Sequence, residues 1–340
     1  LGLVVVDEQH RFGVEQRDAL RGRGERTPHM LVMTATPIPR TVAMTVYGDL
    51  EVSALTELPR GRSPISTTVV PAGEKPAWLE RAWERIREEV AGGHQGYIVC
   101  PRVGGETGKG SGLEDADLVD LEDPDIGADS DDGGRRPPLA VLEVAPQLAD
   151  GPLAGLRLGI LHGKLPADEK DATMRSFEAG EIDVLVATTV IEVGVDVPNS
   201  TGMIILDADR FGLSQLHQLR GRVGRGQAPG VCLLVTDMPA GTTARERLDA
   251  IASTTDGFEL AKLDLELRRE GDVLGSLQSG KRSTLKLLSL LRHETVIEKA
   301  RVYATDIVAH DPELSEHPGL RTLARQVVGD DEQAEYLSKV

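Results

Sequence analysis

Two short segments carry residue types able to do chemistry on a polyphosphate. The run Leu3-Val4-Val5-Val6-Asp7-Glu8-Gln9-His10 sets two adjacent carboxylates at the end of four apolar, strand-forming residues. In a parallel sheet such a strand delivers Asp7 and Glu8 to the carboxyl edge, where α/β proteins hold nucleotides. Hydrolysis of a nucleoside triphosphate needs one carboxylate for Mg²⁺ and another group to orient or deprotonate the attacking water. Taken alone, the pair is explained equally well as a polar strand terminus. The second segment, from Gln215 to Gly226, reads Gln-Leu-His-Gln-Leu-Arg-Gly-Arg-Val-Gly-Arg-Gly. On a helix Gln218, Arg222 and Arg225 would share one face, offering an amide and two guanidinium groups to a triphosphate. An arginine aimed at a transferring phosphoryl group is worth roughly 10³ to 10⁵ in rate. Gly221 and Gly224 would each cost about 1 kcal/mol inside a helix, so a plain basic surface helix explains them poorly. They let another backbone approach closely.

The elements that must position these groups alternate along the chain. Strand-like runs fall at 3–6, 31–34, 65–70, 97–100, 156–161, 183–187, 203–206 and 231–235, with helical patterns between them, which is the mark of parallel α/β construction. Most are continuous in Val, Ile and Leu, as in strands covered by helices on both faces. The run at 31–34 ends in hydroxyls, Thr34-Ala35-Thr36-Pro37, where simple capping by Thr36 is also a sufficient account. Pro166 in the first turn, Asp168 and Glu169 beside it, and Gly180 past the end define one helix. Residues 78–90 form another. After about residue 239 the strand signals stop, and helices are expected at 244–253, 258–266, 285–291 and 294–308, followed by an acidic tail.

Composition restricts the partners. The 340 residues carry 38 Lys and Arg against 55 Asp and Glu, a net charge of −17, so no basic coat surrounds the molecule and any nucleic-acid contact is local. Aromatic residues are 3% of the chain, too few for a single-strand binder that stacks base after base. Phosphate contact would have to supply the affinity. Cys100 and Cys232 lie in apolar runs and read as buried thiols of a reduced cytosolic protein. No apolar stretch approaches a membrane span and no leader is evident, so a soluble, cytoplasmic protein is expected. Residues 104–138 hold 11 acids against 3 bases and read as a solvated, disordered insertion. Inside it, Gly104-Gly105-Glu106-Thr107-Gly108-Lys109-Gly110-Ser111 imitates a phosphate-binding loop. It is a decoy, because Val103 stands where the first glycine belongs and Gly110 follows the lysine.

Taken together, these segments resemble the signature motifs of superfamily 2 helicases. The Asp-Glu-x-His box corresponds to Asp7–His10, the Thr-Ala-Thr box to Thr34–Thr36, and the Gln-x-x-Gly-Arg-x-Gly-Arg box to Gln218–Arg225. The run Ala187 to Asp196 is similar to the motif that precedes the last box. More narrowly, Asp7 to Val14, Thr34 to Thr41, Leu161-His162-Gly163 and Arg210 to Arg220 look like the RecG family of branched-DNA translocases. The competing Mfd family shares the arginine box and the following hairpin, whereas Gln9 and Thr189 to Asp196 favour RecG.

That resemblance implies an α/β fold: a RecA-like parallel-sheet motor followed by a helical translocation region. Residues 1–62 would be the end of motor domain one, 63–237 the second RecA-like domain, and 238–340 the translocation region. It implies ATP and Mg²⁺ as cofactors, with Asp7 on the metal and Glu8 positioning water. Arg225 would be the arginine finger, Arg222 a phosphate contact, Gln218 a γ-phosphate contact, and Gly194 and Asp196 neighbours of the ribose or the domain interface. His10, Thr34, Thr36, Thr188 and Thr189 would couple the nucleotide to DNA, as would Arg268 and Gln278 in the translocation motif, where Arg269-Glu270 departs from the usual Gly-Pro. The implied partner is branched duplex DNA, forks and Holliday junctions, engaged by a monomer. No Gly-x-x-x-x-Gly-Lys-[Ser/Thr] loop precedes Asp7, so the chain is expected to begin inside the first motor domain and to be inactive alone. A non-enzymatic fragment that keeps only weak phosphate binding is the third expectation, beside the RecG and Mfd readings.

Overall fold

The computed structural model describes residues 2–7, 28–34, 53, 55, 63–104, 136–192, 196–267 and 293–326. The chain divides into two compact units, Leu1–Pro39 with Ser53–Asp272, and Arg40–Val52 with Val273–Val340. In the first unit, β1 (Leu3–Val6) pairs in parallel with β2 (His29–Val32), Leu3 opposite His29 and Val6 opposite Val32. The second strand was expected two residues later. Its pairing begins where His29 N donates to the Gly2 carbonyl at 3.0 Å, which fixes the earlier start.

The larger sheet of this unit contains β3 (Ile65–Pro71), β4 (Gln95–Val99), β5 (Leu158–Leu161), β6 (Val184–Ala187), β7 (Ser200–Ile205) and β8 (Gly230–Thr236), in the order β3-β8-β7-β4-β6-β5. Every pairing is parallel. All six expected strand runs are present within a few residues, and the central strands β4, β6 and β7 are buried at every position. Continuous apolar strands require cover on both faces, and the helices provide it. On one face α1 (Pro76–Ala91) and α2 (Val141–Asp150) close over Ile98, Val186 and Ile204. On the other, α3 (Ala167–Glu178), α4 (Leu213–Arg220), α5 (Thr243–Ser253) and α6 (Gly257–Leu267) enclose Tyr97, Phe177, Met203, Leu216 and Leu248.

Local chemistry sets the ends of these helices. Pro76 opens α1, where its missing N–H costs nothing. Asp168 and Glu169 sit in the first turn of α3, and Gly180 beyond its end takes φ +74°, open to glycine without strain. Thr242 caps α5 by accepting from Arg245 N at 3.3 Å. Helix α2 is not among the spans expected from the sequence, and Pro146 lies inside it. Its buried residues Val141, Val144, Ala145 and Leu148 nevertheless follow helical spacing. Both thiols are buried and free, and burial pushes each up to about 12.

In the second unit α7 (Glu294–His310) is present close to its expected span. Below it Asp311 accepts from Ser315 N, Glu316 N and His317 Nδ1 at 2.8, 2.8 and 3.1 Å. The helix expected at 285–291, and all of the insertion except Gly104 and 136–138, lie outside the described residues. Among the described residues no helix is long and apolar enough to cross a membrane.

Candidate active site

The arginine box is not one continuous helix. Gly212 caps the start of helix α4, its N–H donating to the Gln215 side chain at 3.2 Å, and the helix is driven inward by Leu213, Leu216 and Leu219. It stops at Arg220. Gly221 N still closes onto His217 O at 3.0 Å, but Gly224 adopts φ +67° and its N–H turns to the Ser200 carbonyl at 3.3 Å. The expected common helical face of Gln218, Arg222 and Arg225 is therefore replaced. Gln218 is half-buried on α4, and Arg222 and Arg225, each half-buried, lie in a turn fixed by the buried Val223. The glycines serve as a helix stop and a left-handed corner, which is why they are not a burden on the helix. A β-carbon on Gly224 would stand 3.0 Å from Ile65 Cγ1, and one on Gly226 only 2.5 Å from the Pro198 carbonyl.

The turn brings two sequence-separated motifs together. Arg225 Nε donates to Gly221 O at 3.0 Å, and its Nη1 lies 3.4 Å from Asp196 Oδ1. Both side chains reach solvent, Arg225 at 30% and Asp196 at 63% exposure. Beneath them is the phenol of Tyr97, which stacks obliquely on Phe177 with centroids 5.1 Å apart. Burial pushes the phenol up, while Ser200 and the charges of Arg222 and Arg225 pull it down. Thr188 and Thr189 follow β6 at the carboxyl edge, with Thr188 N donating to Leu161 O at 3.2 Å. Asp7 and Thr34 emerge from neighbouring strands at the carboxyl end of the small sheet, where Met33 N donates to Val6 O at 2.8 Å. Glu8, His10, Thr36, Gly194, Arg268 and Gln278 lie outside the described residues.

Arg220 was not singled out for chemistry. Its guanidinium is 2% exposed and donates from Nη1 to the carbonyls of Ile251 and Thr254 at 2.6 and 2.7 Å, and from Nη2 to His217 Nδ1 at 2.9 Å. The signal was in the spacing: with Leu213 and Leu216 it occupies the inward face of α4.

Two guanidinium groups on one turn, that of Arg225 reaching solvent, have the charge and donor set for a polyphosphate. An exposed carboxylate such as Asp7 suits a hydrated Mg²⁺. Among the described residues no cluster of three or more His, Cys, Asp or Glu is arranged to hold a metal ion. A six-stranded parallel sheet in this order, covered by helices on both faces, is the fold of a RecA-like helicase domain. Residues 142–227 match the Helicase conserved C-terminal domain, and residues 254–330 match ATP-dependent DNA helicase RecG, domain 3, C-terminal.

The chain belongs to the RecG family and corresponds to the C-terminal part of its members. It is 55% identical to the ATP-dependent DNA helicase RecG of Mycobacterium leprae, covering 100% of this chain and 43% of that protein. Identity to the Bacillus subtilis RecG is 44%, over 92% of this chain and 41% of that protein. The structure of RecG bound to a three-way DNA junction superposes with a TM-score of 0.57 at 37% identity, covering 88% of this chain and 34% of that one. The chain thus spans less than half the length of these relatives. Between the RecG and Mfd readings, the relatives support RecG.

Proposed function

We propose that this chain forms the second motor domain and the translocation region of an ATP-dependent DNA helicase that drives branch migration and fork regression in recombination and repair. In this reading residues 1–62 belong to the first motor domain, 63–237 to the second and 238–340 to the translocation region. The observation that carries it is the Arg225–Asp196 pair. An ion pair this long and this exposed is worth about 0–1 kcal/mol, so the guanidinium is held in place yet can be transferred to a phosphate at little cost. Arg225 then acts as the finger and Arg222 as a second phosphate contact, with Gln218 on the γ-phosphate and Gly194 and Asp196 at the ribose or interface side. Asp7 holds the metal and Glu8 orients the water. ATP with Mg²⁺ supplies the phosphoryl group whose transfer drives the cycle. Thr34, Thr36, Thr188, Thr189 and His10 carry the nucleotide state toward DNA, and Arg268 and Gln278 contact or couple to the duplex. The partner is branched duplex DNA, bound by a monomer in the cytoplasm. Scarce aromatics fit a protein that grips duplex phosphates and stacks no bases.

The test is Arg225→Ala in a full-length RecG carrying this sequence as its C-terminal part. ATP hydrolysis should fall about 10³-fold while affinity for a synthetic junction stays within about threefold, since the finger is not asked to hold DNA. Comparable loss of junction binding would make Arg225 a DNA backbone contact instead. Assayed alone, the chain should show no DNA-stimulated ATP turnover, because its sequence contains no Gly-x-x-x-x-Gly-Lys-[Ser/Thr] loop to hold the phosphates.

A further inference from the structure

Arg136 is the first described residue after the acidic stretch, and its whole guanidinium is engaged at the carboxyl ends of β7 and β8. Nη1 and Nη2 donate to the two carboxylate oxygens of Asp207 at 3.1 and 2.6 Å. Nε and Nη2 donate to Asp237 Oδ2 at 3.0 and 2.8 Å. The clasp closes through the main chain as well: Arg210 Nη2 donates to the Arg136 carbonyl at 2.8 Å, and Leu139 N to Asp207 Oδ2 at 2.8 Å.

Asp207 is the unusual member. It is 5% exposed and holds a left-handed backbone, φ 49° and ψ 45°, which residues with a β-carbon seldom adopt. It is also the corner at which the chain leaves β7 for the short turn Ala208–Arg210, Gly212 and then α4 with the arginine box. A buried carboxylate is stable only when its charge is matched, and Arg136 supplies the matching charge from the far side of the insertion.

We propose that Arg136 is a positioning residue for the arginine box, acting through Asp207. The claim rests on the box being the nucleotide contact, as argued above.

The experiment compares Arg136→Ala, Asp207→Asn and the double variant in a full-length RecG carrying this sequence, reading kcat and KM for ATP together with the melting temperature. Displacing a reacting group by a fraction of an ångström is costly, so Arg136→Ala should lower kcat about tenfold with KM within about twofold. The double variant should recover most of kcat, because Asn tolerates the left-handed backbone and carries no charge to be left buried. Should Arg136→Ala not fold, Arg136→Gln in the Asp207→Asn background is read in its place, with the same recovery expected. Wild-type kcat in Arg136→Ala, or a folded double variant as slow as the single one, overturns the clasp. Arg225→Ala serves as the control: if it too remains active, the reading of the box has failed, and otherwise only the clasp has.

Discussion

The guanidinium of Arg220 donates a 2.7 Å hydrogen bond to the carbonyl of Thr254, joining the helix that precedes the arginine turn to the residue at which the RecG-specific segment begins. With the 2.6 Å bond to Ile251 O, it satisfies carbonyls at the end of α5 that have no partner within their own helix. A cation there also opposes the negative end of the helix dipole. Truncation would strand these acceptors and open a cavity beneath α4. Arg220→Ala should therefore destabilise this chain by about 3 kcal/mol, read from urea unfolding, while Arg220→Lys recovers part of the loss. A loss below about 0.5 kcal/mol would mean that water replaces the guanidinium without penalty.

A pH dependence follows from Arg157 and Asp183 at the amino ends of β5 and β6. The Asp183 carboxylate accepts from Arg157 N at 2.8 Å, Nε at 3.1 Å and Nη2. The side-chain bonds from Arg157, ahead of its main-chain N–H and charge, hold the carboxyl below its usual range despite partial burial. A group whose pKa is lower when folded stabilises the fold above the unfolded carboxylate pKa of about 3.9, and that contribution is lost as pH falls through the folded value. The difference in urea midpoint between this chain and Asp183→Asn should be constant from pH 7 to pH 5 and shrink below about pH 4. A difference that holds to pH 2.5 would show that the pair contributes through packing alone.

Much of this architecture was legible because strands that are buried on both faces must be apolar throughout. The runs around Ile98, Val186 and Leu234 admit no other reading once turn residues bound them. Helix α2 was not legible: Pro146 is a strong local signal against helix, and only packing of Val141, Val144 and Leu148 against the sheet overrides it. The arginine box was legible in its chemistry and not in its shape. Spacing alone continues α4 through Arg225, whereas the stop at Gly221 depends on Gly224 finding the Ser200 carbonyl, a partner more than twenty residues away in sequence. Arg136 carried no signal, because its two carboxylate partners come from the ends of two other strands.

Burial decides the behaviour of the thiols. Cys100 and Cys232 are both fully covered, and desolvation pushes each to about 12. At pH 8 the thiolate fraction is then on the order of 10⁻⁴, and access is closed as well. The folded chain should release essentially no chromophore from a disulfide-exchange reagent over an hour, and both thiols should react at once in guanidinium. Rapid labelling of either one in the folded state would mean that β4 or β8 opens locally.

Gly226 ties the loop to the chemistry. An added β-carbon would lie 2.5 Å from the Pro198 carbonyl and 3.3 Å from its carbon, so backbone, not a yielding side chain, would have to move. Pro198 stands two residues after Asp196, and Gly226 directly follows Arg225. The displacement thus acts on the same two segments that the 3.4 Å contact joins. Gly226→Ala should cost about 1–3 kcal/mol of stability and, in a full-length RecG carrying this sequence, lower ATP turnover by a larger factor than the stability loss explains. Gly319→Ala, where a β-carbon meets nothing within 4 Å, is the control and should lower neither. If Gly226→Ala retains full turnover at a temperature where it is folded, the distance between Arg225 and Asp196 is not what the turn exists to maintain.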